Sequence, residues 1–375
     1  MKPGILLVGK GNTQWIGGLY YIKNIAFVLS QNEYICRKYN LFLLTFRENI
    51  NVFQGLSDFV QMITIPQSFC EIEKLYRILL CKIMNIKYMF PCSTKISSFF
   101  QIRGISWIPD FQHNRLPHCY TESEREHRIE ASRKIVRIGY PLVLSSEDCR
   151  NDLKLFYGRE RSVFVVPFVS YIEPQIIEDI ISEEDEILKK YHLFDRKYIY
   201  IANQFWQHKN HIVVLEAAKL LLEKVENQDM FFVFTGRMKD SRTPHYIDKI
   251  SSYFEDIAMG GHLLNCGFID RKEQLAIMKN SQFVVQPSLF EGWGTVVEDA
   301  KVLDKTILLS DIPIHREQKN EKCILFDPYN PKQLAGLIEK EIKCEHCDSI
   351  EDGVQDMYER AKKYSENFKK MLDCY

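Results

Sequence analysis

The chain reads as an α/β protein built from two doubly wound, Rossmann-like domains in tandem. Three observations predict this. Short apolar runs alternate with helical patterns along nearly the whole sequence, which is the signature of βαβ units. The alternation breaks once, near the middle, and then resumes. A length of 375 residues exceeds one ordinary domain and suits two.

The first series runs ILLVG (5–9), LFLLTF (41–46), MITIP (62–66), KYMF (87–90), ISWIP (105–109), LVLSS (142–146) and VFVVPF (163–168). Runs this rich in Val, Ile, Leu and Phe, without in/out alternation, predict strands covered on both faces in a parallel sheet. The acid-rich stretch SYIEPQIIEDIISEEDEILKKYHL then reads as a linker carrying one short helix. A second series follows: YIYIAN (198–203), FFVFTG (231–236), LLNCGF (263–268), FVVQPS (283–288), TILLSD (306–311) and CILFDP (323–328). The expected division is a first domain over 1–168, a linker over 169–196 and a second domain over 197–350. A C-terminal helix over 351–375 is placed to pack back on the first domain. Tandem domains of this kind are expected to face each other across a cleft, with ligands beyond the carboxyl ends of the strands.

The net charge of −1 hides an asymmetry. Residues 1–166 hold 22 Lys/Arg against 14 Asp/Glu, a surplus of 8, and residues 167–375 hold 27 against 36, a deficit of 9. A basic half points to an anionic partner such as phosphate or lipid headgroups, or else to a plain solvated face. The segment EIEKLYRILLCKIMNIKYMF (71–90) mixes Lys74, Arg77, Lys82 and Lys87 with aliphatics. It fits peripheral membrane contact, and equally a core helix with snorkelling cations. The start MKPGILLVGKGN lacks a signal-peptide apolar region, and no run reaches the length of a membrane span. Eleven cysteines without a repeating spacing suit reduced thiols. The expected setting is therefore the cytoplasm, with the inner face of the membrane left open. The lone Cys344-x-x-Cys347, with only His346 and Cys374 as further ligands, makes a poor zinc site.

The stretch FEGWGTVVED (290–299) concentrates acids around a glycine-hinged strand-to-helix corner. A helix beginning at Gly294-Thr295 would bare its first N–H groups to an anion, while Gly292 and Gly294 would let a phosphate approach the backbone. Glu291 stands before that helix, and Glu298 and Asp299 stand within its first turns. An acidic first turn that merely complements the helix dipole is the plainer alternative.

Over PSLFEGWGTVVEDAKVLDKTILLSD the sequence resembles the family-four retaining glycosyltransferases (glycosyl transferases group 1), which have the GT-B fold and an EGFG–x4–E signature. The departure is Asp299 in the slot of the second Glu, with Glu298 just before it. The resemblance implies a nucleotide-sugar donor, with Glu291 on hydroxyls of the donor sugar and Asp299 on the ribose. In IANQFWQHKNHIVVLEAAKLL (201–221), Lys209 matches the family's diphosphate-binding Lys, whereas Asn203 or Gln204 stands where an Arg is usual. Lys209 at a helix start opposes the dipole, a misfit that favours a bound anion. His208 and His211 have metal-compatible spacing, but a rim or capping role suits them better. In GFIDRKEQLAIMKNSQFVVQPS (267–288), Phe268 and Ile269 match backbone positions lining the base pocket.

In the N-terminal half, Gly17-Gly18 of WIGGLYYIKNI would let the backbone approach a phosphate or an acceptor, or form an ordinary tight turn. WIPDFQHNRLPH (107–118) resembles the family's His-bearing segment near the donor sugar. His113 is the candidate there, Asp110 its expected partner and His118 the competitor. Ser146-x-x-Cys149 reads as a helix cap. The implied activity is retaining hexosyl transfer to a saccharide or lipid-linked saccharide, in surface polysaccharide synthesis. It involves no metal, no cofactor and no nucleic acid. The alternatives are a nucleotide-sugar epimerase of the same fold and a non-catalytic nucleotide-sugar-binding subunit. A dinucleotide-dependent dehydrogenase is disfavoured, since no G-x-G-x-x-G follows the first strand.

Overall fold

A computed structural model of the chain describes residues 2–11, 16–67, 79–224, 229–240, 242–256, 259, 261–345 and 347–375. It divides into two compact units. The first comprises Met1–Asn114, Ser123–Tyr171 and Asp356–Tyr375, and the second Arg115–Glu122 and Ile172–Gln355. No linear division of the sequence would assign 115–122 to the second unit.

The first unit holds strands β1 (Gly4–Gly9), β2 (Asn40–Phe46), β3 (Gln61–Ile65), β4 (Ile86–Phe90), β5 (Arg103–Gly104), β6 (Ser106–Ile108), β7 (Leu142–Leu144) and β8 (Val163–Val165). They form a five-stranded sheet, β3-β2-β1-β4-β5, and a three-stranded one, β6-β7-β8, with parallel pairing throughout. All six residues of β1 are buried, as a strand covered on both faces requires. The end of the chain belongs to this unit. Asn32 donates to Ser365 Oγ at 2.9 Å, and Phe368 meets Phe90 edge-on at 5.8 Å between ring centroids.

The second unit holds β9 (Ile199–Ala202), β10 (Phe232–Thr235), β11 (Leu263–Asn265), β12 (Val284–Gln286), β13 (Ile307–Ser310) and β14 (Cys323–Phe326). Their order, β11-β10-β9-β12-β13-β14, is that of a Rossmann sheet. The winding reverses between β9 and β12, so the loops leaving those two strands flank the switch point, where open α/β sheets bind ligands.

The acid-rich stretch is more than a linker with one helix. It forms two helices, Pro174–Ser182 and Glu184–Lys190, against the helix Arg271–Asn280. Glu183 pairs with Lys272 at 2.6 Å, Glu184 pairs with Lys279, and Ile180 is buried. Its acids answer lysines that lie about 90 residues downstream, which local patterning does not reveal.

Of the segment considered for membrane contact, residues 71–78, including Lys74 and Arg77, lie outside the described residues. Beyond them Leu79 and Ile83 are exposed, and the Lys82 ammonium sits over the rings of Phe99 and Phe100. Among the described residues no helix is long and apolar enough to cross a membrane. His346, weighed as a zinc ligand, also lies outside them, and Cys344 and Cys347 are exposed.

Candidate active site

The candidate corner lies at the switch point of the second unit. β12 ends at Gln286, a polar residue closing an apolar strand, and a turn then leads to the helix Thr295–Val302. β9 ends at Ala202 and passes through Asn203 and Gln204 into a tight turn, Gln207–Lys209, before the helix His211–Leu222. Asn210 locks the two loops together. Its backbone is left-handed (φ 53°), and its side-chain amide donates to Pro287 O at 3.2 Å and Pro328 O at 2.8 Å.

Glu291 is the hub. Lys209 Nζ reaches its Oε1 at 2.5 Å, Gln286 Nε2 at 2.9 Å and Ser288 Oγ at 2.7 Å. All three donors converge on Oε1, and among the described residues none reaches Oε2. Gln286 is itself held by Asn203 Nδ2 at 2.7 Å. Burial alone would raise the Glu291 carboxyl, but the Lys209 ammonium overrides it and holds the group at about 2. The anion that Lys209 answers is therefore Glu291 within the protein, and the lysine sits in the turn before the helix rather than in it.

Beneath the hub, burial pushes His208 down to about 3, with Lys209 adding to the shift. His315 is pushed down to about 4, chiefly by burial and against the pull of Glu291. Both rings are neutral at physiological pH. His315 Nδ1 lies 2.8 Å from Ser310 O and 3.0 Å from Ser310 Oγ, and that hydroxyl donates to Ser288 O at 2.5 Å. His211 is fully buried and stacked on Phe205 at 4.3 Å, a core position.

Gly294 begins the 295–302 helix, and no side chain caps it. Its own N–H donates to Gln318 Oε1 at 2.9 Å, and the first intrahelical bond is Glu298 N to Gly294 O at 3.2 Å. Thr295, half-buried, thus opens a helix whose first amides face out of its end. Gly294 has ordinary extended dihedrals. A Cβ there would stand 3.1 Å from Gln318 Oε1 and 3.2 Å from Val297 Cγ2, so close packing is what calls for glycine. Gly292 is half-buried in the turn before it.

The other two acids of the stretch are placed differently. Glu298 is fully buried, 3.2 Å from Lys301 Nζ and 3.1 Å from Gln318 Nε2. Asp299 is 1% exposed and gripped bidentately by Arg271, with both contacts at 2.5 Å, while Arg271 keeps 22% of its side chain open. Direct acceptance from a ribose, expected of Asp299, would compete with that guanidinium.

Phe268 is half exposed beyond β11, beside the half-buried Ile269. Gln204 Oε1 accepts from Arg237 N at 2.9 Å, and Asn203 is committed to Gln286, so neither amide at the expected cation position stands free. In the first unit, Gly17 and Gly18 lie in the opening turn of the helix Ile16–Ser30 rather than in a loop before it. His113 is buried, its Nε2 3.5 Å from the Tyr157 hydroxyl, and burial with Arg128 and Arg125 pushes it down to about 4. Asp110 Oδ1 accepts from Gln112 N at 2.9 Å, which turns the chain into the short helix Gln112–Arg115. His118 is exposed and falls in the second unit. Ser146 caps the helix Glu147–Tyr157 through Cys149 N at 3.1 Å.

Arg271, Gln286, Ser288, His315 and Gln318 escaped the sequence reading. Gln286 carried a signal, a lone amide in FVVQPS. The pair His315 and Gln318, three apart after Pro313, carried a weaker one.

Residues 183–370 match the family model described as Glycosyl transferases group 1. No relative is found among curated protein sequences. Among solved structures, Anabaena Alr3699/HepE in complex with UDP is 12% identical over 100% of both chains, with a TM-score of 0.67. A glycosyltransferase from Rickettsia africae ESF-5 is 13% identical, covering 98% of this chain and 94% of its own, at 0.61. Sucrose-phosphate synthase (tll1590) from Thermosynechococcus elongatus is 13% identical over 100% and 94%, at 0.62. These likenesses show the fold, GT-B with two Rossmann-like domains.

Proposed function

Because the chain belongs to the glycosyl transferases group 1 family, we propose that its second unit holds a nucleotide-diphosphate sugar and that the protein transfers the hexose with retention. In this reading the acceptor is a saccharide or lipid-linked saccharide bound by the first unit, and the setting is surface polysaccharide synthesis, peripheral to an anionic membrane. The observation that carries the reading is Glu291: ionised, clamped through one oxygen by three donors, with its second oxygen left for a sugar hydroxyl. Anabaena Alr3699/HepE, of the same fold, has been solved with UDP-glucose, which supports a donor of that class.

The donor's negative centre would lie between Lys209 and the uncapped helix at Gly294-Thr295, where peptide dipoles and an ammonium stabilise a departing diphosphate without a divalent ion. The acceptor hydroxyl would attack on the face the diphosphate leaves, passing its proton to a phosphate oxygen. The protein then contributes positioning and charge. Ribose recognition is assigned to the Arg271–Asp299 pair through its half-open guanidinium. His113, neutral at physiological pH, would offer one hydrogen bond to the donor sugar.

A thermal-shift screen of UDP-, GDP- and ADP-sugars tests the ligand class, since a ligand at a hundred times its Kd adds about 2.7 kcal/mol. The expected result is stabilisation by one set, followed by transfer to an added saccharide with the donor's anomeric configuration kept. Isomerised donor without acceptor would mean an epimerase, and binding without turnover a non-catalytic subunit. No shift with any of the three would retire the reading.

A further inference from the structure

Charge pairing across the second unit's carboxyl edge singles out one cation. Lys209 is matched by Glu291, Arg271 by Asp299, Lys272 by Glu183 and Arg242 by Asp240. Each of these cations already shares its charge with an acid of the protein, so a ligand can gain a hydrogen bond from it but little net positive charge. Among the described residues of the loops leaving β9, β10, β11 and β12, Arg237 and Lys239 carry no ion pair. A diphosphate bound at this edge brings about two negative charges, more than a helix end offsets.

Of the two, Arg237 is built in place. Its N–H donates to Gln204 Oε1 at 2.9 Å, and its carbonyl accepts from Phe205 N at 3.3 Å, tying the loop after β10 to the loop after β9. Gly236 makes the approach feasible. Its φ is +134°, and a Cβ there would stand 2.1 Å from Asn203 O, so only glycine fits. The guanidinium then lies 4.6 Å over the Phe268 ring, an exposed aromatic that holds the group at the rim through cation–π attraction. Gln204, the side chain standing where a cation is expected, is used to brace a cation one strand over. Lys239 is exposed, with no comparable anchor.

We propose that Arg237, levered by Phe268, is the residue that neutralises the diphosphate of the bound nucleotide. This rests on the nucleotide-sugar reading above. A planar five-donor guanidinium suits phosphate oxygens better than a mobile ammonium.

The test is calorimetric binding of UDP, GDP and ADP, with the matching monophosphates and nucleosides, to the wild type and to Arg237→Ala, Arg237→Lys, Phe268→Ala and Lys239→Ala. Arg237 is exposed, so its variants are expected to melt with the wild type. Arg237→Ala should weaken the preferred diphosphate roughly ten- to a hundredfold while leaving the nucleoside within about twofold. Arg237→Lys should restore part of the loss, and Phe268→Ala should show a smaller one of the same kind. Equal losses for diphosphate and nucleoside would mean a base-stacking role and overturn the proposal. Equal losses in Arg237→Ala and Lys239→Ala would reduce it to diffuse surface charge and overturn it too. If the wild type binds the diphosphate and Arg237→Ala binds it as well, this inference alone fails. If the wild type binds none of the three, the nucleotide-sugar reading fails and takes this one with it.

Discussion

Glu291 and Glu298 lie seven residues apart in one stretch, both are ionisable, both pair with a lysine, and they do different work. Glu291 sits in the turn with 10% of its side chain exposed and one oxygen without a protein donor. Glu298 sits one helical turn in, 0% exposed, answering Lys301 and the same Gln318 that braces Gly294. Asp299 resembles the second more than the first, since it is 1% exposed, and Arg271 grips both its oxygens. Proximity in sequence to a ligand motif is therefore no measure of contact with a ligand. What separates the acids is access: Glu291 keeps part of its side chain and one oxygen open at the turn, whereas Glu298 is closed over inside the helix packing and Asp299 is covered and gripped by Arg271.

The largest test of that contrast is Glu298→Ala. Removing one partner of an ion pair this deep strands Lys301, and about 3–5 kcal/mol of unfolding free energy should go. Turnover per folded molecule should stay near that of the wild type. Denaturant melts with active-site-normalised rates check both halves, and a variant that melts normally but turns over slowly would erase the distinction. Next comes Glu291→Ala, whose cost should fall on kcat, on the order of 10²-fold or about 2.7 kcal/mol of barrier, together with a loss in melting because Lys209 is left without its acid. Unimpaired kcat there would end the case for the corner as a catalytic site.

A pH experiment sharpens the comparison by a smaller amount. His208 and His211 are held at about 3, and His113 and His315 at about 4, against an ordinary 6.5, so the unfolded chain takes up protons below pH 6.5 that the native state refuses. Their contribution is fully present above pH 6.5 and should be lost as pH falls towards 4, by up to about 1.4 kcal/mol per pH unit for each ring. Glu291, lowered from 4.5 to about 2, loses its share only below pH 4.5. Stability between pH 5 and 6.5 thus isolates the histidines. His315→Asn should remove one ring's share of the slope there, about a quarter of it, and a slope unchanged by the substitution would contradict the assignment. The smallest expected effect is that of EDTA, which should leave turnover unchanged if peptide amides, Lys209 and Arg237 stabilise the diphosphate. Loss of activity restored by a divalent ion would overturn that.

Much of this was legible before folding was considered. Apolar runs mark strands because both faces of a parallel sheet are covered, and the two series appear as such. Glu291 and Lys209 were each candidates from their local patterns, yet their pairing across 82 residues was not readable, nor was the role of Gln204 as a brace for Arg237. The stretch 169–196 misled for the same reason: its acids look like solvated linker until the lysines of 271–280 are brought beside them.

Local chemistry was enough for the class of fold, the reversal from strand to helix at the corner, and the supply of acids, amides and cations around it. Those follow from hydrophobic periodicity and turn chemistry, which act over a few residues. Which oxygen stays unclaimed, which arginine lacks an acid, and which histidines are kept neutral depend on contacts between strands far apart in sequence and on burial, and the chain acquires both only by folding.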